Sequence, residues 1–206
     1  MGMRKIIAFD RVSADGYFAD ANGGLGWTVP EPELDRGAAD NLGDGGTMLF
    51  GRRTYEMFES FWPRVAAGGG PDAPDPHAPG RVSPEMMAMA RWIDQATKLV
   101  FSRTLTQATW TNSRILGEFD PRDVEALKEE PGSNIMIFGS GSIVSRLTEH
   151  GLIDEYHLVV GPVVLGSGKT LISGVPDRLR LELIEAKPYP NGNVMLRYRR
   201  MGAEGS

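Results

Sequence analysis

The sequence predicts one α/β domain built on a central, mixed but mostly parallel sheet of about eight strands. Helices cover both faces, and an antiparallel hairpin closes the C-terminal end. Three observations carry this. Short apolar runs alternate with helix-compatible stretches along most of the chain, the pattern of strands joined by crossover helices. The last two runs are separated by Pro190-Asn191-Gly192, a strong hairpin-turn signal. A length of 206 residues with 41% hydrophobic side chains suits one continuous core, and nothing mid-chain demands a boundary. The domain is therefore drawn as 1–206, with an irregular excursion at 63–82 and a tail at 201–206.

Met3–Phe9 is apolar and β-branched, and reads as a buried strand. Asp10–Pro30, rich in Gly, Asp and Asn, reads as a long loop of the kind that often carries function. Glu31–Leu42 reads as a helix after Pro30 and Pro32, and Gly43–Gly46 as a break. Thr47–Phe50 is a second strand and Arg52–Phe61 a helix. Pro63–Val82 carries Gly68-Gly69-Gly70 and prolines 63, 71, 74, 76 and 79, and reads as a flap or an oligomer contact. Pro84–Ala96 is a helix capped by Ser83. Lys98–Phe101 and a run within Thr109–Leu116 are strands three and four. Pro121–Glu130 is a helix opened by Asp120, with proline at its first position. Asn134–Phe138 is a fifth strand, followed by Gly-Ser-Gly-Ser and a helix to about His150. Ile153–Val160, Arg180–Pro188 and Val194–Arg200 complete the strands, and the last reads as an exposed strand available for oligomer contacts.

The composition narrows the function. With no cysteine, disulfides, thiolate nucleophiles and cysteine-ligated metal centres are excluded. The three histidines (His77, His150 and His157) have no metal-ligand spacing, so no metal is expected. A net charge of −5 argues against nucleic acid as a partner. The apolar run Ile6–Phe9 is too short for a signal peptide, and no stretch approaches the ~20 apolar residues of a membrane span. A cytoplasmic protein without a membrane partner is expected.

Three strands run out into small or cationic residues, and in open α/β sheets ligands sit beyond the carboxyl ends of strands. Phe138-Gly139-Ser140-Gly141-Ser142-Ile143 leads into a helix whose N-terminal amides suit a pyrophosphate; the plainer reading is a tight turn capped by Ser140 or Ser142. Gly51-Arg52-Arg53-Thr54-Tyr55 places two cations at a helix start, where they oppose the dipole unless an anion joins them. Phe101-Ser102-Arg103-Thr104 is either a third phosphate contact or an ordinary polar turn. Together they supply what a dinucleotide bearing a 2′-phosphate needs.

The order Ser13-Ala14-Asp15-Gly16, LFGRRTYE, VFSRT, IFGSGSIV and LIDEYHLVVGPVVLGSGKTL resembles the dihydrofolate-reductase-like superfamily. It is similar in particular to stand-alone relatives of the C-terminal reductase domain of the bacterial bifunctional riboflavin-biosynthesis deaminase-reductase. The resemblance covers about Arg4 to Arg200, most specifically Ile137–Leu171. It implies NADPH as cofactor, a homodimer, and a 5-amino-6-(5-phosphoribosylamino)uracil reductase-like activity. By that resemblance Gly51, Arg52, Arg53 and Thr54 meet the 2′-phosphate and pyrophosphate. Ser102 and Arg103 meet the adenosine end, and Gly139, Ser140, Gly141, Ser142 and Ile143 cradle the pyrophosphate. Ala8, Ser13, Asp15 and Gly16 line the nicotinamide and substrate side, while Gly161–Gly168 shapes the fold.

Hydride transfer also needs a proton source. In true dihydrofolate reductases a carboxylate follows a Trp-x-x-Pro segment. Trp27-Thr28-Val29-Pro30 matches that segment, but Glu31-Pro32-Glu33 follows with no aspartate in register, which argues against folate reduction. The catalytic candidates are therefore Asp15 and Glu33, with Glu31 a further substitute. Trp27 either covers the substrate ring or belongs to the core. A pteridine reductase and a non-catalytic nucleotide-binding module are the competing readings.

Overall fold

The computed structural model describes residues 3–29, 31, 33–34, 46–68, 84–175 and 178–202. In chain order the elements are β1 (Ile6–Ser13), β2 (Tyr17–Ala19), β3 (Thr47–Gly51), α1 (Arg52–Ala66), α2 (Pro84–Gln95), β4 (Thr97–Phe101), β5 (Ser113–Gly117), α3 (Pro121–Glu129), β6 (Ile135–Phe138), α4 (Gly141–Glu149), β7 (Glu155–Gly161), β8 (Lys169–Thr170), β9 (Leu181–Pro188) and β10 (Val194–Arg200). Eight of the strands form one sheet in the order β5-β4-β3-β6-β1-β7-β10-β9. The first six are parallel; β10 runs antiparallel to both β7 and β9.

Alternate strand residues feed two cores. Ile7, Phe9, Met48, Phe50, Val100 and Met136 pack beneath Tyr55 of α1 and Met89 and Ile93 of α2. Ile6, Ala8, Leu49, Leu99, Ile135 and Ile137 pack beneath Val124 and Leu127 of α3 and Ile143, Val144 and Leu147 of α4. A strand buried on both faces needs an unbroken apolar run rather than alternation, which is why TMLF and IMIF were legible as strands. Asp120 caps α3 as expected, its carboxylate accepting from the Arg122 N–H at 2.9 Å.

The structure departs from the expected elements in four places. First, β1 does not stop at Phe9. It runs to Ser13 because β7 pairs with it as far as Ser13↔Gly161, giving the backbone of Asp10–Ser13 partners despite the polar side chains of Asp10, Arg11 and Ser13. Secondly, the presumed loop also holds β2, which pairs antiparallel with β8 as a separate two-stranded ribbon. Thirdly, α1 continues through Pro63 to Ala66. The proline forfeits one backbone hydrogen bond, but Phe61 and Val65 on either side are buried against Ala90, which holds the last turn. Fourthly, Val194–Arg200 is not the edge: β10 lies between β7 and β9. The edge strand is β9, whose Leu183 and Ile184 are exposed. Most of the Glu31–Leu42 helix, residues 69–82 of the expected excursion and the Ser83 cap lie outside the described residues.

One tight contact gives a stability prediction. A Cβ built on Gly46, just before β3, would overlap the ring of Trp92. Gly46→Ala is expected to cost about 1–3 kcal/mol by overpacking, read as a lower urea midpoint at unchanged slope.

Candidate active site

The site is positioned by a split in the sheet. β6 stays beside β1 only to the pair Phe9↔Phe138, whereas β7 follows β1 on to Ser13. From Asp10 onward, the edge of β1 that faced β6 lies open. On one side of this opening α1 leaves β3 towards one face; α4 leaves β6 towards the other. Ligands in open α/β sheets bind at such a switch point.

A cleft of about 830 Å³ occupies the opening. Its walls include Asp10 and Arg11 of β1, Gly51–Thr54, Gly139–Ser142, and Phe18 and Lys169 of the ribbon. A smaller cavity of about 170 Å³ adjoins it, lined by Ser102, Arg103, Phe119, Ile143 and Arg146. The two share Gly51, Arg52 and Ser142, so the three strand-end segments meet on one continuous rim.

Both helices that open on this rim lack side-chain caps. The N-cap of α1 is Gly51, its first turn holds no acid, and it begins with exposed Arg52 and Arg53. The N-cap of α4 is Ser140, in the left-handed region at φ 63°. Its hydroxyl does not cap α4: it accepts the Gly51 N–H at 2.8 Å and ties the two helix starts together. Gly139 also has positive φ, 68°, a conformation that glycine adopts without strain. A Cβ on Gly141 would come within 3.1 Å of the Phe18 ring and 3.2 Å of the Leu171 carbonyl, so a side chain there would push those neighbours aside by a few tenths of an ångström. Two positive helix ends, two guanidinium groups and a hydroxyl make a donor set for an anion. At the smaller cavity Arg103 lies 3.7 Å from Glu118, an exposed and well-screened contact that leaves it available to a stronger anion. The Ser102 hydroxyl accepts from the Thr104 and Leu105 N–H groups and shapes that turn.

The acid in the cleft is Asp10, a residue the sequence reading placed in a loop. It is 4% exposed. Its Oδ1 accepts the Gly139 N–H at 2.8 Å, while Oδ2 is buried without a hydrogen-bond partner. Burial pushes its pKa up to about 7, against the opposing pull of the Gly139 amide. Among the described residues no other Asp or Glu lines the cleft.

The expected acids lie elsewhere. Asp15 is exposed; its carboxylate accepts from the Ser13 hydroxyl at 2.6 Å and from the Leu165 and Gly166 N–H groups. Those bonds hold its pKa below the ordinary value, which suits a staple between two loops and not a proton donor. Glu33 pairs with Lys187 at 2.7 Å on an exposed surface, away from the cleft wall. Glu33→Gln should therefore leave turnover and its pH dependence unchanged. A matched loss of activity in a steady-state assay would contradict this placement.

The expected substrate-side residues are also displaced. Ser13 is buried, bonding to Asp15 and accepting the Tyr17 N–H, and Gly16 forms the turn at φ 89°. The Ala8 side chain faces the α3/α4 core. Trp27 packs by Gly161, its Nε1 buried without a partner, and does not line the cleft. Phe18, Lys169 and Arg146 join the rim unanticipated. Arg146 stood one helical turn beyond Ser142, a spacing that would have found it. The ribbon strands, three and two residues long, gave no periodic signal.

The fold belongs to the dihydrofolate-reductase-like class. The chain superposes on dihydrofolate reductase from Enterococcus faecalis, complexed with NADP(H) and RAB-propyl, with TM-score 0.61 at 12% identity, covering 98% of this chain and 99% of that one. A putative riboflavin biosynthesis protein from Shewanella sp. PV-4 superposes with TM-score 0.70 at 21% identity, covering 96% and 99%. Residues 4–195 match the RibD C-terminal domain, and the chain belongs to that family. It is 30% identical over 199 residues to the uncharacterized protein YyaP of Bacillus subtilis (strain 168), spanning 95% of this chain and 94% of that protein.

Proposed function

We propose that the protein is an NADPH-dependent oxidoreductase that delivers a hydride to an unsaturated carbon of a small ring substrate. The observation that carries this reading is the rim itself: two uncapped helix N-termini, Arg52 and Arg53 converge on one cleft, with Arg103 and Arg146 in the cavity that continues it. NADPH presents a pyrophosphate and a 2′-phosphate, and that donor set matches them in charge and kind. Gly139–Ser142 with Arg52, Arg53 and Thr54 would hold the pyrophosphate. Ser102, Arg103 and Arg146 would hold the adenosine end and its phosphate. The adjoining opening beside β1 has room for the nicotinamide.

When bound, the reduced nicotinamide supplies a hydride and leaves oxidised. The chain's own part is orientation and the proton. The cleft walls would hold the two reactants side by side, which would lower the barrier by several kcal/mol. With its pKa raised to about 7, Asp10 still carries a proton in a large share of molecules at neutral pH, and would give it to the heteroatom of the C=O or C=N bond as the carbon of that bond gains the hydride. One substrate, one NADPH and one proton then become the reduced product and NADP⁺, and solvent reprotonates Asp10.

The test is a titration of the protein with NADPH by nucleotide fluorescence, followed by turnover on a panel that includes the ribosylaminouracil phosphate and dihydrofolate. Saturable binding with turnover on a ring substrate is expected; failure to bind NADPH would remove the reading. Among the described residues no helix is long and apolar enough to cross a membrane.

A further inference from the structure

We infer that Arg11 is the specificity-determining residue for the substrate: it pairs with a carboxylate carried on a flat ring. This rests on the reductase reading and deepens it.

The split in the sheet lets one cleft touch both faces of β1. Side chains alternate along a strand. Asp10 turns, like Ala8, to the face that α3 and α4 cover. Phe9 turns to the face beneath α1 and α2, and Arg11, two residues on, shares that face. Phe9, Asp10 and Arg11 all line the cleft. On the Phe9 side the wall is a run of rings in mutual contact. Phe9 meets Phe138 at 5.6 Å between centroids, Phe138 meets Phe58 at 6.4 Å, and Phe58 meets Trp62 at 5.9 Å. All four rings line the cleft. A flat conjugated ring packs on such a wall edge-on or stacked.

Arg11 is half-buried beside these rings. Its Nη1 donates to the Val29 carbonyl at 3.2 Å. That carbonyl does not depend on Arg11, because it also accepts from Asn193 Nδ2 at 2.9 Å. Holding the loop is therefore a task that Arg11 shares. A guanidinium presents five N–H donors in a planar fork, and the group that matches the fork is a carboxylate, taken by two parallel bonds. Leu25 and Thr28, of the loop that Arg11 ties, line the cleft as well, so Arg11 stands where the ring wall meets that loop. A ring acid would be held at two points, its body on the rings and its carboxylate on Arg11. Two-point holding fixes the orientation of the ring in the cleft.

The experiment compares benzaldehyde with its ortho, meta and para carboxylates as substrates. In each the aldehyde carbon gains the NADPH hydride as a C–H bond and the oxygen gains the proton, giving an alcohol and NADP⁺; the carboxylate is unchanged. Binding to the NADP⁺ complex, by quenching of tryptophan fluorescence, is read in parallel, so the preference is measured even where turnover is slow. At least one carboxybenzaldehyde is expected to exceed benzaldehyde by about 10–100-fold in kcat/KM or affinity. Arg11→Gln should lower the value for that acid about 10–100-fold more than the value for benzaldehyde. Arg11→Lys, which keeps the cation and loses the fork, should keep part of the preference. NADPH affinity should not change in either variant, and that serves as the check on folding. Lys169 lines the cleft too, and Lys169→Gln should keep the preference. No preference for any of the three acids overturns the inference and leaves the NADPH reading standing. So does a preference that survives Arg11→Gln or is lost in Lys169→Gln. Absence of NADPH binding by the wild-type chain overturns both.

Discussion

Asp10→Asn is expected to lower kcat by roughly 10²–10³-fold while leaving NADPH affinity nearly unchanged. The asparagine keeps an oxygen for the Gly139 N–H but has no proton to give. In the wild type, kcat should fall as pH rises through about 7, where the buried carboxyl ionises. Bound phosphates nearby disfavour a second negative charge, so in the ternary complex the limb moves upward and never down. In Asp10→Asn the limb should vanish. A wild-type limb that survives in the variant would assign the proton to another group. Loss of NADPH affinity with kcat preserved would make Asp10 a binding residue instead.

The same carboxyl makes a stability prediction of definite sign. Its folded pKa, about 7, lies above the unfolded value of ~3.9. Below the unfolded value it contributes fully. As pH rises, the unfolded chain ionises first and stability falls until the folded carboxyl ionises too. Across those three units the loss is on the order of 4 kcal/mol. Asparagine escapes that loss but buries an NH₂ in place of the Oδ2 that has no partner, at a cost of ~1–3 kcal/mol. Asp10→Asn should thus be less stable than wild type near pH 4 and more stable at pH 8. Urea unfolding at the two pH values would show the crossing.

Arg52→Gln is expected to weaken NADPH binding by roughly 10–100-fold, the range of one or two charge-assisted hydrogen bonds lost. Arg52 lines both the cleft and the adjoining cavity, and among the described residues it ion-pairs with Glu56 alone, an exposed contact at 3.2 Å within its own helix. Removing it therefore costs the fold little, since exposed pairs at this spacing contribute only ~0.3–0.5 kcal/mol. Thermal unfolding of the free protein should be almost unchanged while the NADPH titration shifts. A large drop in thermal stability with unchanged NADPH affinity would make Arg52 a structural residue.

The layered fold was legible because its central strands are buried on both faces, so β3 and β6 announce themselves as unbroken apolar runs. The convergence of cations and helix starts on one rim was legible for a different reason. Arg52 and Arg53 sit where a helix dipole disfavours cations, and that conflict needs an anion to resolve it. The acid was not legible. Asp10 breaks an apolar run, and a charged residue at that point reads as the strand's end. Only the pairing of β1 with β7, between residues some 150 apart in the chain, carries the strand on to Ser13. The conspicuous aspartate of the Ser13–Gly16 turn drew attention instead, though its three hydrogen bonds commit it to holding that turn. Pro63 misled in the same local way: apolar packing on both sides of it outweighs the lost backbone bond.

Isothermal titration of the wild-type chain with NADPH, and in parallel with NADH, bears most directly on whether the cationic rim grips a phosphorylated dinucleotide. One NADPH per chain should bind, with NADH weaker by at least about tenfold for want of the 2′-phosphate. No heat with NADPH, or equal affinity for the two nucleotides, would contradict it.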